Sequence, residues 1–288
     1  MNITRGRFPQ PDARRCLFLH PEEALMPFEI RKVENCPAGL FAPTTPVPAP
    51  TDAAGNAIAS WSYHHIIPKE KLKSFFDKVI ANGDGATKEF KQICTFVIQK
   101  HYRYRNGDTY PSALAFQDNN APAQAANEAG VTMAVIAVLT GMHADADTAD
   151  AATTGRWGLF ENFWFWWPAN LHRGPGSALR LQPAGGGANW DENLDDGGAR
   201  FEKSAKHVLP KKQFDALSAL NAAMDVYEGK QSTGAYAVAR LDALKEVLKL
   251  MRVLVPSNGT YTRPVEFDRS RWVRVMIAGA NRYRVVPR

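Results

Sequence analysis

The chain has 288 residues, 45% hydrophobic and 22% charged, a globular composition that can bury a substantial core and excludes a disordered chain. Lys and Arg number 35 against 29 Asp and Glu, and the resulting pI near 9.2 leans toward a polyanionic partner without deciding for one. Cys16, Cys36 and Cys94 lack CxxC spacing and disulfide-framework density, so they read as free thiols in a reducing compartment.

From Met1 to about Ser60 prolines accumulate, ending in "APTTPVPAPTDAAGNA". This favours an extended leader or linker over residues 1–60, lying on the core. Pro9, Pro11, Pro21 and Pro27 with Glu22 and Glu23 leave no apolar stretch fit for a signal peptide, so export would need a dedicated route. "KEKLKSFFDKVI" then sets Leu72, Phe75, Phe76, Val79 and Ile80 at helical spacing, and "NGDG" stops that helix. Glu70 reads as a helix-capping acid on its first turn. A second helix is expected through "TKEFKQICTFVIQKHYRY", with Phe90, Ile93, Cys94, Val97 and Ile98 on one face.

"PAQAANEAGVTMAVIAVLTGMHADADTAD" reads as an alanine-rich buried helix running out into an acidic loop. Its run from Val131 to Met142 is too short to span a bilayer. His143, Asp145 and Asp147 alternate there, but without a fixed turn geometry they read as a solvated helix C-terminus more than a cation site. Four tryptophans and three phenylalanines between Trp157 and Trp167 then suggest a heavily apolar strand or hairpin. After Trp167-Pro168 come Asn170, His172 and Arg173, turned sharply by Gly174, Pro175 and Gly176, so polar side chains gather at the mouth of an apolar scaffold.

The glycine-rich stretch onward to Glu202 is a long irregular segment of the kind that usually carries function. Leucine, alanine and valine then recur at helical spacing over Lys211 to Glu228 and Ala235 to Val255, a helical hairpin joined through "GKQSTG". The last stretch alternates apolar and basic residues as a strand pair and carries Arg263, Arg269, Arg271, Arg274, Arg282, Arg284 and Arg288. These arginines read equally as a phosphate-facing surface or a solvated face. His20, His101 and His207 have no partner pattern and read as structural or surface residues.

Two short stretches carry chemistry together. "YHHIIPKEKLKSFF", Tyr63 to Phe76, and "WPANLHRGPGSALRL" with "LDDGGARFE" resemble the HNH, or ββα-metal, nuclease superfamily, in particular its bacterial polymorphic-toxin branch. The likeness covers about fifty residues in two pieces, of which "HHIIP" is the more specific. Hydrolysis of a phosphodiester needs an activated water, a cation to take up charge and a fixed in-line geometry; a neutral histidine suits the base. The resemblance implies His65 as that base and Asn170 as the residue that orients it or ties the loops, with Asn162 the alternative asparagine. It implies His64 and His172 as ligands of a divalent ion (Mg, Mn or Zn), completed by water or by a carboxylate such as Asp195 or Asp196. The superfamily's final His-x-x-x-His pair is missing, because Gly176 stands where its second histidine would fall.

The fold expected on this basis is α+β: a ββα-metal-like nuclease core over residues 61–205 interrupted by a helical insertion at about 77–155, then a helical hairpin and a β-rich, arginine-rich tail over 206–288. The implied activity is a metal-dependent endonuclease cleaving DNA, or RNA, and acting as an antibacterial toxin. Such a toxin would be made in the bacterial cytoplasm, secreted by a specialised system into target cells, and held by a cognate immunity protein. No membrane partner is expected. A metal-dependent hydrolase of a non-nucleic substrate using His64, His65 and His172, and a non-catalytic binding or structural module, are the rival readings.

Overall fold

The computed structural model describes residues 28–35, 51–58, 61–104, 121–175, 211–254, 272–277 and 279–285. The elements run β1 (Trp61–His65), α1 (Lys69–Ala81), α2 (Lys88–Tyr104), α3 (Ala121–Leu139), α4 (Ala146–Ala152), α5 (Arg156–Phe165), a 3₁₀ turn at Pro168–Asn170, β2 (Leu171–Pro175), α6 (Lys211–Glu228), α7 (Ala237–Leu254), β3 (Trp272–Ile277) and β4 (Ala280–Val285).

The expected α+β fold is not what forms. The described chain is helical, and its strands are confined to two separate antiparallel ladders of two strands each, β1 with β2 and β3 with β4. The β-rich tail reduces, among the described residues, to the short β3–β4 pair turning through Gly279 at φ 76°. The misreading has a physical origin in the aromatic block. Residues 156–165 form helix α5, in which Trp157, Phe160, Glu161, Phe163, Trp164 and Phe165 are all buried. A helix buried on nearly every side shows no 3.6-residue apolar stripe, and its aromatics carry strand propensity, so the pattern pointed to a strand.

Helices α1, α2 and α3 build the core. Phe75 and Phe76 of α1 are fully buried, as are Phe90, Ile93 and Cys94 of α2. Phe76 meets Trp164 and Phe90 edge-on at 5.4 and 5.2 Å, and Phe75 meets Tyr227 of α6 at 5.5 Å. Each such side chain contributes about 1.5–3 kcal/mol by leaving water. Cys94 is a buried free thiol whose burial pushes its pKa well up, which makes it inert.

Charged groups fasten the periphery to this core. Residues 28–35 lie as an extended strap: Phe28 is buried against Trp157, the Ile30 amide donates to Asp77 Oδ1 at 2.9 Å, and Arg31 embraces the buried Glu161. Arg31 also pairs with Asp147 at 2.6 Å, while Asp145 caps α4 by accepting the Thr148 amide at 2.7 Å. The acids of "HADADTAD" therefore serve a helix N-terminus and the strap. At the crossing of α4 and α5 the Gly158 amide donates to Asp150 Oδ1 at 2.7 Å, and a Cβ at that position would sit 2.9 Å from the same oxygen. Glu70 lies in the first turn of α1, but no side chain caps that helix, and Glu70 pairs instead with Lys32 of the strap.

Candidate functional site

The two stretches singled out in the sequence meet. β1 and β2 pair antiparallel in the register Tyr63↔Arg173, His64↔His172 and His65↔Leu171. Positions directly opposite in such a ladder lie about 4.5–5.5 Å apart at Cα and share one face. Residues 64 and 172 thus form a cross-strand pair on one face, while His65 and Leu171, both buried, occupy the other. The side chains of His64 and His172, and both Asp195 and Asp196, lie outside the described residues, as do His20 and His207 and the side chain of His101.

Asn170, fully buried, locks the junction. It closes the 3₁₀ turn that Pro168 initiates, with its amide donating to Trp167 O at 3.0 Å. Its backbone oxygen accepts from the Ile66 amide at 3.0 Å, its Oδ1 accepts from the Ile67 amide at 2.6 Å, and its Nδ2 donates to Ile67 O at 2.7 Å. Asparagine suits this place because one planar amide carries both a donor and an acceptor, matching both peptide groups of Ile67. Asn162 lies inside α5, where its carbonyl accepts from the Trp166 amide. The chain leaving β1 is therefore held through two buried isoleucines before Pro68 caps α1.

His65 ends β1 at 1% exposure. Its Nε2 lies 2.8 Å from the carbonyl of Phe165, and its ring meets Trp166 edge-on at 4.7 Å. Since a carbonyl only accepts, Nε2 carries the proton, which leaves the basic lone pair on Nδ1. Trp166 is fixed in turn: its indole donates to Val33 O of the strap at 3.1 Å, and the Lys69 ammonium stands over its ring at 5.1 Å.

No group of three or more His, Cys, Asp or Glu side chains placed to hold a metal occurs among the described residues. Of the implied metal ligands, only the backbone pairing of positions 64 and 172 falls within the described residues. In the tail, Arg274 is exposed; Arg263, Arg269, Arg271 and Arg288, with the side chains of Arg282 and Arg284, lie outside the described residues.

Sequence reasoning missed a second polar cluster. Asp84, in the turn after α1, accepts from Arg240 Nε at 2.6 Å and from the Tyr227 hydroxyl at 2.7 Å, all three residues buried. Arg240 Nη1 also donates to the carbonyls of Gln231 and Thr233 at 2.8 and 3.0 Å. Burial, reinforced by Asp84, pushes the Tyr227 hydroxyl above its ordinary pKa, and the Asp84 carboxylate does the same for Arg240. This arrangement joins helices and offers no open face to a substrate. Its members stand up to 156 residues apart, and the only local signal was an aspartate inside the helix-stopping "NGDG".

Searches against protein-family models, curated proteins and solved structures return no match for this chain. Among the described residues, no helix is long and apolar enough to cross a membrane.

Proposed function

We propose that the chain is a metal-dependent endonuclease in which His65 is the general base, working from a helical scaffold. The observation that carries the reading is the junction at the end of β1: the cross-strand pair His64↔His172, with Asn170 bonded to both peptide groups of Ile67 immediately beyond His65. Residues 64 and 172 would hold the divalent ion, which supplies charge stabilisation at the phosphoryl oxygens. His65, with Nε2–H directed at the Phe165 carbonyl, keeps its basic lone pair on Nδ1, a buried atom that a water must reach for His65 to act as the base. Asn170 is a positioning residue, since it fixes the backbone from which His65 projects. The basic balance of the chain favours a nucleic acid as substrate. The toxin role, its secretion and an immunity partner follow from the family likeness and belong to the same proposal.

The test is nicking of supercoiled plasmid, and cleavage of RNA, by wild type and His65→Ala over Mg²⁺, Mn²⁺ and Zn²⁺ with an EDTA control. Metal-dependent cleavage that falls by about 10²–10⁴ in the variant is expected. Intact nucleic acid under every cation, from protein with an unaltered melting curve, would overturn it.

One observation favours a second reading. His65 is buried and packed on Trp166, as a structural histidine is, which suits a non-catalytic module. In that case His65→Ala lowers the melting temperature, and no preparation cleaves nucleic acid.

A further inference from the structure

Away from the ladder, an open cleft of about 520 Å³ lies between α2 and the end of α7. Lys88, Lys91 and Arg252 line it, and none of its lining residues is acidic. Several surface lysines are neutralised: Lys71 by Asp225 and Glu228, Lys73 by Glu29 and Asp77, Lys245 by Asp242, Lys249 by Glu246. The three cleft cations form no ion pair among the described residues, and Lys88 and Arg252 are exposed. Neutral hydrogen-bonding side chains, Gln92, Thr95 and Gln99, line the cleft with them, along with Phe96. With Lys88 these recur at helical spacing, so the polar stripe runs about 16 Å along α2.

Two lysines one turn apart on α2 and an arginine of α7, lining one cleft with amides and a hydroxyl that can bond phosphate or base, suit an extended anion better than a single phosphate. We propose that this cleft binds the sugar-phosphate backbone of a single nucleic-acid strand and holds the substrate at a distance from His65. The inference rests on the nucleic-acid reading above and adds the surface that recognises it. Mutual repulsion of the three cations in the free protein is relieved when phosphates enter.

The experiment is fluorescence anisotropy of a labelled single-stranded oligonucleotide in EDTA, so that binding is read without cleavage. Wild type is compared with the triple variant Lys88→Gln, Lys91→Gln, Arg252→Gln and with a charge-matched control at three lysines that do not line the cleft, Lys78→Gln, Lys211→Gln, Lys230→Gln. The cleft variant should weaken binding about tenfold or more and lower the slope of log K against log salt by about 2, as loss of three phosphate contacts requires. The control should move affinity by less than about threefold. Equal weakening in both variants would overturn the cleft, as would wild type that does not bind, or a mononucleotide that displaces the strand at equal phosphate concentration. Wild type that binds in this manner yet cleaves nothing in the plasmid assay sustains the cleft and overturns the catalytic reading.

Discussion

Two buried polar joints hold the ends of α1, and they are made of different chemistry. Before the helix, Asn170 holds Ile67 through neutral amide and peptide groups. After it, Asp84 holds Arg240 and Tyr227 through a buried ion pair. The neutral joint satisfies every group it buries at small desolvation cost, so it fixes a loop geometry precisely. The charged joint gains little net energy over an apolar contact, because its attraction is spent on removing two charges from water, but it penalises severely any structure in which one partner is missing. The fold thus uses geometry where the candidate chemistry lies and charge where a distant helical hairpin must be docked in one way.

The sharpest way to break this contrast is to remove one charge. Arg240→Leu should cost about 3 kcal/mol in chemical denaturation, the low end for breaking a buried pair because the guanidinium lies just beneath the surface, whereas Asp84→Leu with Arg240→Leu should recover much of that loss. A double variant no more stable than the single one would show that the joint is a net stabiliser. Next in size, Asn170→Ala should cost about 2 kcal/mol by leaving the Ile67 N–H and C=O unsatisfied, and it should lower nuclease turnover beyond its effect on stability. Asn170→Asp removes the donor to Ile67 O and should not rescue turnover. Turnover equal to wild type in folded Asn170→Ala would remove the positioning role.

The smallest effect separates charge from geometry by pH. Burial pushes the Glu161 carboxyl above its ordinary pKa, against the pull of Arg31, and the carboxylates around Arg31 hold that guanidinium charged. A carboxyl whose pKa is raised on folding binds its proton more readily in the folded state, so its contribution to stability is complete below the unfolded value and lost as pH rises through the folded one. Relative to Glu161→Gln, wild type should therefore gain stability as pH falls from neutral toward the ordinary carboxylate range. A difference that stays flat or runs the other way would mean that pairing with Arg31 outweighs burial. The Asn170 joint, built from amide and peptide groups, should show no such dependence in a comparison of Asn170→Ala with wild type.

Much of the helical frame was legible because its helices are amphipathic. Leu72, Phe75, Phe76 and Val79 mark α1, and the hairpin of α6 and α7 was drawn almost to its ends. Helix α5 was not, since Trp157 through Phe165 is apolar on nearly every side and leaves no period to read. At the site, Asn170 was legible as a polar residue set just after Trp-Pro, but its bonds to both peptide groups of Ile67 at the β1 exit, 103 residues away, were not. The antiparallel register that puts His64 opposite His172 could not be read across more than a hundred residues of chain, because pairing over such a separation is fixed by the helices packed between.

The strap over residues 28–35 bears on how this protein can be shortened. Its Arg31 is the counter-ion of Glu161, its Val33 carbonyl receives the Trp166 indole that backs His65, and Ile30 is 1% exposed. An expression boundary drawn at the first strand of the motif, just before Trp61, would leave a carboxylate without its partner inside an aromatic interior and strip one wall from the histidine's shelf. The smallest piece able to keep the junction at His65 intact therefore begins at or before Phe28, inside a stretch that by its prolines alone looks dispensable.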